Sequence, residues 1–174
     1  MKTHHMGKNN RATVTMEPGK QEIVITRIFN APRDLVFRMF MDPNHIHQWW
    51  GPKYLATKVD MMEARVGGRW RFVQHDAGGK EFAFHGVYHD ITPPERIIDT
   101  FEFEGLPEKG HVSLETFRLE SLPGDRTKLT TVSVFQSVAD RDGMAQSGME
   151  QGINETYDRL EELLAKQLHA KGQF

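Results

Sequence analysis

The sequence predicts an α+β fold in which one curved antiparallel sheet packs against a long C-terminal helix. Residues 54–136 contain runs of β-branched and aromatic side chains between glycine and proline turns, a pattern typical of antiparallel strands. The segment after residue 138 has no proline and spaces its apolar residues as on one helical face. Strands and long helix occupy separate parts of the chain, which favours α+β over an alternating fold.

The N-terminal part of the chain is expected to divide into a tail and the start of a domain. Residues 1–20 are polar and predict a flexible tail, with a short strand possible at 12–16. No apolar stretch follows Lys2, so no signal peptide is predicted. The first clear strand is Glu22–Phe29, which is rich in β-branched residues. A single domain is therefore predicted over residues 21–170.

Two short helices are predicted after this strand. The first covers Pro32–Phe40, with Asn30 as its expected N-cap and Pro32 in its first turn. The second opens at Asp42 and Pro43, a capping residue followed by a proline at the first helical position. It is expected to end at the next glycine–proline pair.

The sheet is expected to contain about six to seven strands, since six more strand-like runs follow the short helices. These runs are Leu55–Met62, Gly68–His75, Phe82–Ile91, Arg96–Phe103, His111–Ser121 and Arg126–Phe135. Tight turns between them predict a meander. A twisted sheet of this size curls around a helix, and the space between the two is a natural pocket.

The last element is predicted as one helix of about 28 residues, roughly 40 Å long, that reaches Lys171. Its first half contains Gly143, Gly148 and Gly152, and a glycine inside a helix costs about 1 kcal/mol relative to alanine. For Gly148 and Gly152 two interpretations stay open. They leave room for a ligand beside flexible methionines, or they permit close packing or a later helix start. For Gly143 a place in a loop or at the helix start is favoured.

Composition narrows the classes of function. The chain has 174 residues and a net charge of −2, so binding to nucleic acid is not expected. It has no apolar run long enough to span a membrane. The absence of cysteine excludes disulfides and thiol nucleophiles and fits a cytoplasmic protein. The nine histidines do not fall at metal-ligand spacings, so neither a metal nor a cofactor is predicted.

Large side chains dominate the apolar residues, with eleven Phe, nine Met, three Trp and three Tyr. Several aromatic residues lie two apart on a strand and so share a face. They either fill a core or line a hollow that binds an apolar molecule, and one bulge would reverse the face. The expected lining is Trp70, Phe72, Phe84, Tyr88, Phe101, Phe117, Met144, Gly148, Met149, Gly152 and Ile153.

Trp49 and Trp50 follow the second short helix. One of the two is expected to pack inside, and the other to close a cavity mouth or to contact a partner, because an exposed tryptophan needs a purpose.

No catalytic motif is present: the chain has no nucleophile elbow, phosphate loop or dinucleotide fingerprint. Polar residues do occur on the predicted strands, and one or two that point inward could orient a ligand or act as acid and base. They are Arg71, His75, His85, Tyr88, His89, Asp99, Glu102, Glu104, Glu115 and Arg118. Tyr88 is the candidate for an inward hydroxyl, and no residue is assigned a catalytic role.

Several motifs resemble one known superfamily in their order and spacing. They are Ile25–Phe37, Asp42-Pro43 leading to Trp49–Pro52, Gly67–Trp70, Gly86–Tyr88, Ile91–Arg96 and Gly148–Gly152. Together they resemble the START-like, or Bet v 1-like (SRPBCC), superfamily over about residues 21–165. The most similar branch is that of the activator of heat-shock-protein-90 ATPase, in its calicheamicin-resistance-like subgroup. This resemblance implies a helix-grip fold with an internal, mostly apolar cavity.

Three functional hypotheses follow. Binding of a small hydrophobic or aromatic molecule in the internal cavity ranks first. A protein-interaction module related to chaperone ATPase activation ranks second, with an exposed patch at Trp49, Trp50 and residues 105–110. A cyclase-like or hydrolase-like enzyme in the same cavity ranks third, and it requires ionisable side chains that meet there. A homodimer through a sheet edge or the tryptophan pair is compatible with each of them.

Overall fold

The computed structural model describes residues 10–172. Its strands are β1 (Thr13–Thr15), β2 (Glu22–Phe29), β3 (Ala56–Met62), β4 (Arg69–His75), β5 (Glu81–Thr92), β6 (Arg96–Phe103), β7 (Val112–Leu122) and β8 (Arg126–Val134). Its helices are α1 (Arg33–Met41), α2 (Pro43–Trp49), α3 (Val138–Gln146) and α4 (Met149–Lys171). None of the helices within these residues is both long enough and apolar enough to cross a membrane.

The strands form one antiparallel sheet in the order β1-β2-β8-β7-β6-β5-β4-β3. The long helix α4 packs across one face of this sheet, called the inner face below. The predicted α+β helix-grip fold is therefore confirmed. The sheet has eight strands rather than six or seven, because the short β1 pairs with β2 at one edge. At the other edge, β3 carries a β-bulge between Val59 and Met61.

Alternation along the strands separates the inner face from the outer one. On β2, Ile23, Ile25, Arg27 and Phe29 are buried while their neighbours are more exposed. Leu129 on β8 stands opposite Arg27 and is also buried. The buried positions follow the two-residue period expected of a sheet with one covered face.

The C-terminal part of α4 closes the core against this face. Tyr157, Leu160 and Leu164 are buried at helical spacing. The Tyr157 ring meets the Phe29 ring edge-on, with centroids 5.5 Å apart. Met39 of α1 is also fully buried, and together these side chains form one continuous hydrophobic core.

The predicted unbroken C-terminal helix is wrong. It is divided after α3, where Ser147 is the C-cap and Gly148 has a φ of 82°. This left-handed conformation ends a helix, and glycine adopts it without a Cβ clash. The second helix, α4, has 23 residues, which corresponds to about 35 Å.

The observed start of α2 agrees with the sequence prediction, whereas the observed N-cap of α1 differs from the predicted one. Asp42 caps α2, since its side chain accepts a hydrogen bond from the Asn44 backbone N–H at 2.9 Å. The N-cap of α1 is Pro32 rather than Asn30, and it makes no side-chain cap bond. The Asn30 backbone N–H instead donates to Glu161 of α4 at 3.1 Å, which ties the strand end to the long helix.

The segment before β2 is joined to the domain. In β1, Thr13 pairs with Thr26, and the preceding backbone N–H of Ala12 donates to Asn154 Oδ1 of α4 at 2.9 Å. Ala12 itself is buried. Residues 1–9 of the predicted tail lie outside the described residues.

Gly86 on β5 provides a test of packing on the inner face. A Cβ there would lie 1.8 Å from the Thr100 carbonyl oxygen and 2.6 Å from Trp70 Nε1. Gly86→Ala should therefore lower the free energy of unfolding by about 2–3 kcal/mol, the effect of overpacking against backbone. Urea unfolding measures this change. Gly143→Ala in α3, with open space around it, is the control and should stabilise the protein by up to about 1 kcal/mol. Equal urea midpoints for Gly86→Ala and the parent would contradict this packing.

Candidate functional site

A row of polar side chains crosses the inner face. The register places Glu115 of β7 opposite Ser133 of β8, Asp99 of β6 opposite Glu115, and Tyr88 of β5 opposite Asp99. Directly opposed residues of neighbouring strands have Cβ atoms about 5 Å apart. Tyr88, Asp99, Glu115 and Ser133 therefore form a contiguous set, called the polar row below.

The Glu115 carboxylate accepts hydrogen bonds from two serine hydroxyls. Ser113 Oγ lies 2.8 Å from Oε1 and Ser133 Oγ lies 2.7 Å from Oε2. Burial raises the pKa of Glu115, and the two hydroxyls oppose part of that rise. Both oxygens thus have neutral donors, while no Lys or Arg in residues 10–172 forms an ion pair with this carboxylate.

Asp99 has a less favourable environment. The residue is only 8% exposed, and its Oδ1 has no hydrogen-bond partner among residues 10–172. Burial, followed by the charge of Glu115, raises the pKa of Asp99 well above its ordinary value. The Trp70 indole N–H lies close enough to oppose this rise, but it forms no well-aligned hydrogen bond within the described residues. Two carboxyl groups in one buried site disfavour a second negative charge.

One phenol, that of Tyr88, belongs to the polar row, and a second, that of Tyr157, lies beside it. Burial, with a smaller contribution from the charge of Asp99, raises the pKa of Tyr88. Burial also raises the pKa of Tyr157 on α4 to about 12. The charge of Glu115 adds to this rise, whereas the Thr131 hydroxyl and Arg27 oppose it. Both phenols therefore stay protonated near neutral pH and can serve as hydrogen-bond donors.

Aromatic rings cover the inner face beside the row. Trp50 contacts Trp70, Phe72 and Phe84, with ring centroids 6.5, 5.2 and 5.3 Å apart. Phe84 continues the cluster to Phe101 at 5.5 Å. All of these arrangements are edge-on or tilted, as the ring quadrupoles favour.

The predicted lining residues separate into three groups. Trp70, Phe72 and Tyr88 are buried in the core. Gly148 is exposed and Gly152 is half-buried. The remaining six pack against the core and keep part of their surface exposed, and they are Phe84, Phe101, Phe117, Met144, Met149 and Ile153.

The tryptophan pair is not an exposed patch. Trp49 is 1% exposed, and its Nε1 donates to the Met39 carbonyl at 3.0 Å, so it is a core residue with no surface for a partner. Trp50 is half-buried within the aromatic cluster. A role at a cavity mouth therefore stays with Trp50 alone.

Two surface depressions lie away from the inner face. An open groove of about 600 Å³ runs between α1, the start of α2 and the turn at Pro93 and Pro94. A smaller one of about 300 Å³ lies between α2 and α4 beside Arg159. Within residues 10–172, no three His, Asp or Glu side chains come together as metal ligands.

Comparison with known proteins assigns the family. The model of the family described as "Activator of Hsp90 ATPase homolog 1-like protein" matches residues 30–165. The chain belongs to this family. No curated protein matches the sequence.

Several solved structures share the fold. The chain is 25% identical to a protein from Arthrobacter aurescens, with a TM-score of 0.80 over 88% of this chain and 91% of that one. It is 27% identical to a protein from Chromobacterium violaceum, with a TM-score of 0.71 over 83% of this chain and 96% of that one. The AHSA1 protein from Silicibacter pomeroyi shares the fold at 21% identity, with a TM-score of 0.69 over 84% and 99%.

In this member of the Hsp90-activator-like family, two polar contacts join α3 to segments that flank strands of the sheet. His111 Nδ1, at the start of β7, lies 3.0 Å from Asp140 Oδ1 in the first turn of α3. Arg141 is buried, and its Nη1 donates to the Glu17 carbonyl after β1. These contacts hold the helix that carries Met144.

The sequence could not single out Asp99 and Glu115. Both occur among ten polar strand residues, and which of these face inward depends on register. The bulge in β5 between Tyr88 and Asp90 changes the phase of that strand and has no signature in residue type. Tyr88 does lie on the inner face, where its hydroxyl was expected.

The His111–Asp140 contact predicts a pH-dependent stability. Asp140, and less strongly Glu108, raise the pKa of His111 above 6.5. The contact then stabilises the fold fully below the unfolded pKa, and this contribution is lost as pH rises through the raised value. Melting temperatures between about pH 5.5 and pH 8.5 should fall more steeply for the parent than for His111→Gln. His89→Gln, at an exposed position on β5, should follow the parent, and a parent-like slope in His111→Gln would contradict the prediction.

Asp99 predicts a loss of stability in the same direction, beginning at a lower pH. Because its pKa is raised in the fold, the folded state holds the proton more tightly than the unfolded state, and the parent loses stability as pH rises above the unfolded pKa. Asp99→Asn should therefore be more stable than the parent near neutral pH, with the difference shrinking toward about pH 4. Urea unfolding over this range measures the difference. Glu120→Gln, at an exposed position on β7, should show no such trend, and parallel curves for Asp99→Asn and the parent would refute it.

Proposed function

We propose that this protein binds a small hydrophobic or aromatic molecule between the inner face of the sheet and the helices α3 and α4. The observation that carries the proposal is the set of six apolar side chains that pack against the core and yet remain partly exposed. Three come from strands β5, β6 and β7, and three from α3 and α4. We call the space that they border the inner hollow.

The two ends of α4 differ in a way that supports this location. Toward its C-terminus, Leu160 and Leu164 are buried at 0% and 1% exposure, as in a closed core. Toward its N-terminus, Met149 and Ile153 stay half-buried although they lie on the same apolar stripe. Core residues are normally packed without gaps, so this difference favours accessible space under the first turns of α4.

Small residues border the same space. A Cβ at Gly152, in the first turns of α4, would meet no atom within 4 Å. Gly148 has a left-handed backbone conformation, so α3 and α4 are two separate helices and not one continuous helix. Methionines on each side of this break, Met144 and Met149, are flexible side chains that fit ligands of different shape.

The proposed activity is binding alone, and no catalytic step is assigned to this site. The family assignment and the fold favour a ligand-binding role without naming a ligand. The chaperone-related alternative loses its predicted tryptophan patch, because Trp49 is in the core.

Filling the hollow tests the proposal. Gly152→Leu places a side chain in the open space and should weaken binding of Nile red, followed by its fluorescence, by about tenfold or more, since overpacking costs about 1–3 kcal/mol. Gly143→Leu is the matched control, because it is also a helical glycine with open space but is exposed to solvent. It should bind the dye like the parent.

Both variants replace a helical glycine by leucine and should unfold at parent-like or higher urea concentrations. Weaker dye binding in Gly152→Leu alone would therefore report occupancy of the hollow and not loss of the fold. Parent-like dye affinity in Gly152→Leu, or no dye binding by the parent, would overturn the proposed function.

A further inference from the structure

We propose that the ligand of the inner hollow carries a protonated amine, and that Asp99 and Glu115 of the polar row bind this cation. The inference rests on the proposed function and specifies its ligand class: an aromatic or apolar body with a basic nitrogen. Three observations carry it, namely the opposed carboxyl groups, the unpartnered atoms beside them and the lack of a matching cation among residues 10–172.

The first observation is geometric. Asp99 and Glu115 are directly opposed on neighbouring strands β6 and β7, and both point to the inner face, where Asp99 is buried and Glu115 is half-buried. Phe101 of β6 and Phe117 of β7 lie two positions along the same strands and the same face, and both belong to the half-buried lining. The two carboxyl groups therefore lie beside apolar residues that border the hollow.

The second observation is that buried polar atoms near the pair have no partner. Asp99 Oδ1 and Trp70 Nε1 make no hydrogen bond with any group in residues 10–172, although these two residues are 8% and 3% exposed. Thr131 Oγ1 on β8, one row away, also forms no well-aligned hydrogen bond within the described residues at 3% exposure, although it lies close enough to lower the pKa of Tyr157. Buried polar groups without partners are rare in folded proteins, and each calls for an occupant that satisfies it.

The third observation concerns charge. The groups that face the pair from the surrounding elements are Trp70 of β4, Tyr88 of β5, Ser113 of β7, Ser133 of β8 and Tyr157 of α4, and none of them is a cation. Arg27 of β2 is close enough to lower the pKa of Tyr157, but its Nη2 is bound to Asp158 at 2.9 Å and it forms no ion pair with Asp99 or Glu115. Within the described residues the two carboxyl groups thus lack a positive partner, and a buried carboxylate is stable only when one is supplied or when it takes up a proton.

A ligand cation satisfies these groups together. When it binds, Asp99 can ionise, and the Trp70 N–H then faces a carboxylate, which is a stronger acceptor than a neutral acid. Aromatic ring faces attract cations, and the lining residues Phe101 and Phe117 lie on the same two strands as the carboxyl groups. A neutral oxygen ligand would instead leave both carboxyl groups without a positive partner, and an anion would be repelled by Glu115.

The proton count makes the proposal measurable. The empty pair retains the Asp99 proton near neutral pH, since burial and Glu115 both raise the pKa of Asp99. Binding of a cation favours the ionised pair, so a proton leaves as the amine enters. Amine affinity should therefore rise with pH as long as the amine itself stays protonated.

Three ligands with the same indole ring separate the possibilities: tryptamine as the cation, tryptophol as the neutral analogue and indole-3-acetate as the anion. Isothermal titration calorimetry should show tryptamine binding to the full chain about tenfold or more tightly than tryptophol, as a charge-assisted hydrogen bond predicts. The observed heat should depend on the ionisation enthalpy of the buffer, because a proton is released. Indole-3-acetate should bind most weakly.

The variants locate the effect. Asp99→Asn and Glu115→Gln should each reduce the tryptamine preference to about twofold or less while tryptophol still binds, since charge is removed with little change of shape. Glu120→Gln, the same substitution at an exposed position on β7, should retain the full preference and the proton release.

The outcomes separate this inference from the proposed function. If the parent binds Nile red and tryptophol without favouring tryptamine, or favours indole-3-acetate, the amine assignment is overturned and the inner hollow stands. If Asp99→Asn and Glu115→Gln keep the preference, the cation binds elsewhere and the assignment also falls. If the parent binds neither the dye nor any of the three indoles, the proposed function fails and this inference fails with it.

Discussion

The register between β6 and β7 is the constraint on which the candidate site depends. It sets Asp99 opposite Glu115 and turns both toward the helices. A slip of β7 by one residue would send Glu115 to the outer face, away from Asp99, and bring Thr116 and Arg118 inward. The register is held by apolar residues on the same face, since Ile97 and Leu119 are almost fully buried. Packing of the hydrophobic core thus holds two carboxyl groups in an environment that disfavours their charged forms.

The two ends of the long helix differ in how far they are buried. Tyr157, Leu160 and Leu164 close the core at the C-terminal side, where burial of apolar surface is almost complete. The N-terminal side has Gly152 and two half-buried apolar residues. The C-terminal side therefore stabilises the fold, while the first turns of α4 leave apolar surface accessible.

Much of the fold could be predicted from residue patterns alone. All seven predicted strand runs and both short helices occur within one or two residues of their predicted bounds, because turns and capping residues mark their ends. The break at Gly148 was not predicted, since a lone glycine in an apolar stripe is compatible with a continuous helix. The site was harder to predict, because its polar row joins four strands through register and a bulge, and neither is encoded in one local segment.

The free edges of the sheet bear on how the protein behaves at high concentration. An open edge offers unpaired backbone groups to a second chain and invites aggregation. One edge is β1, which has only three residues and is tied to α4 through Ala12. The other is β3, where Lys58 and Asp60 are exposed and the bulge at Val59 interrupts a flat hydrogen-bonding surface. Both edges thus oppose strand-to-strand polymerisation.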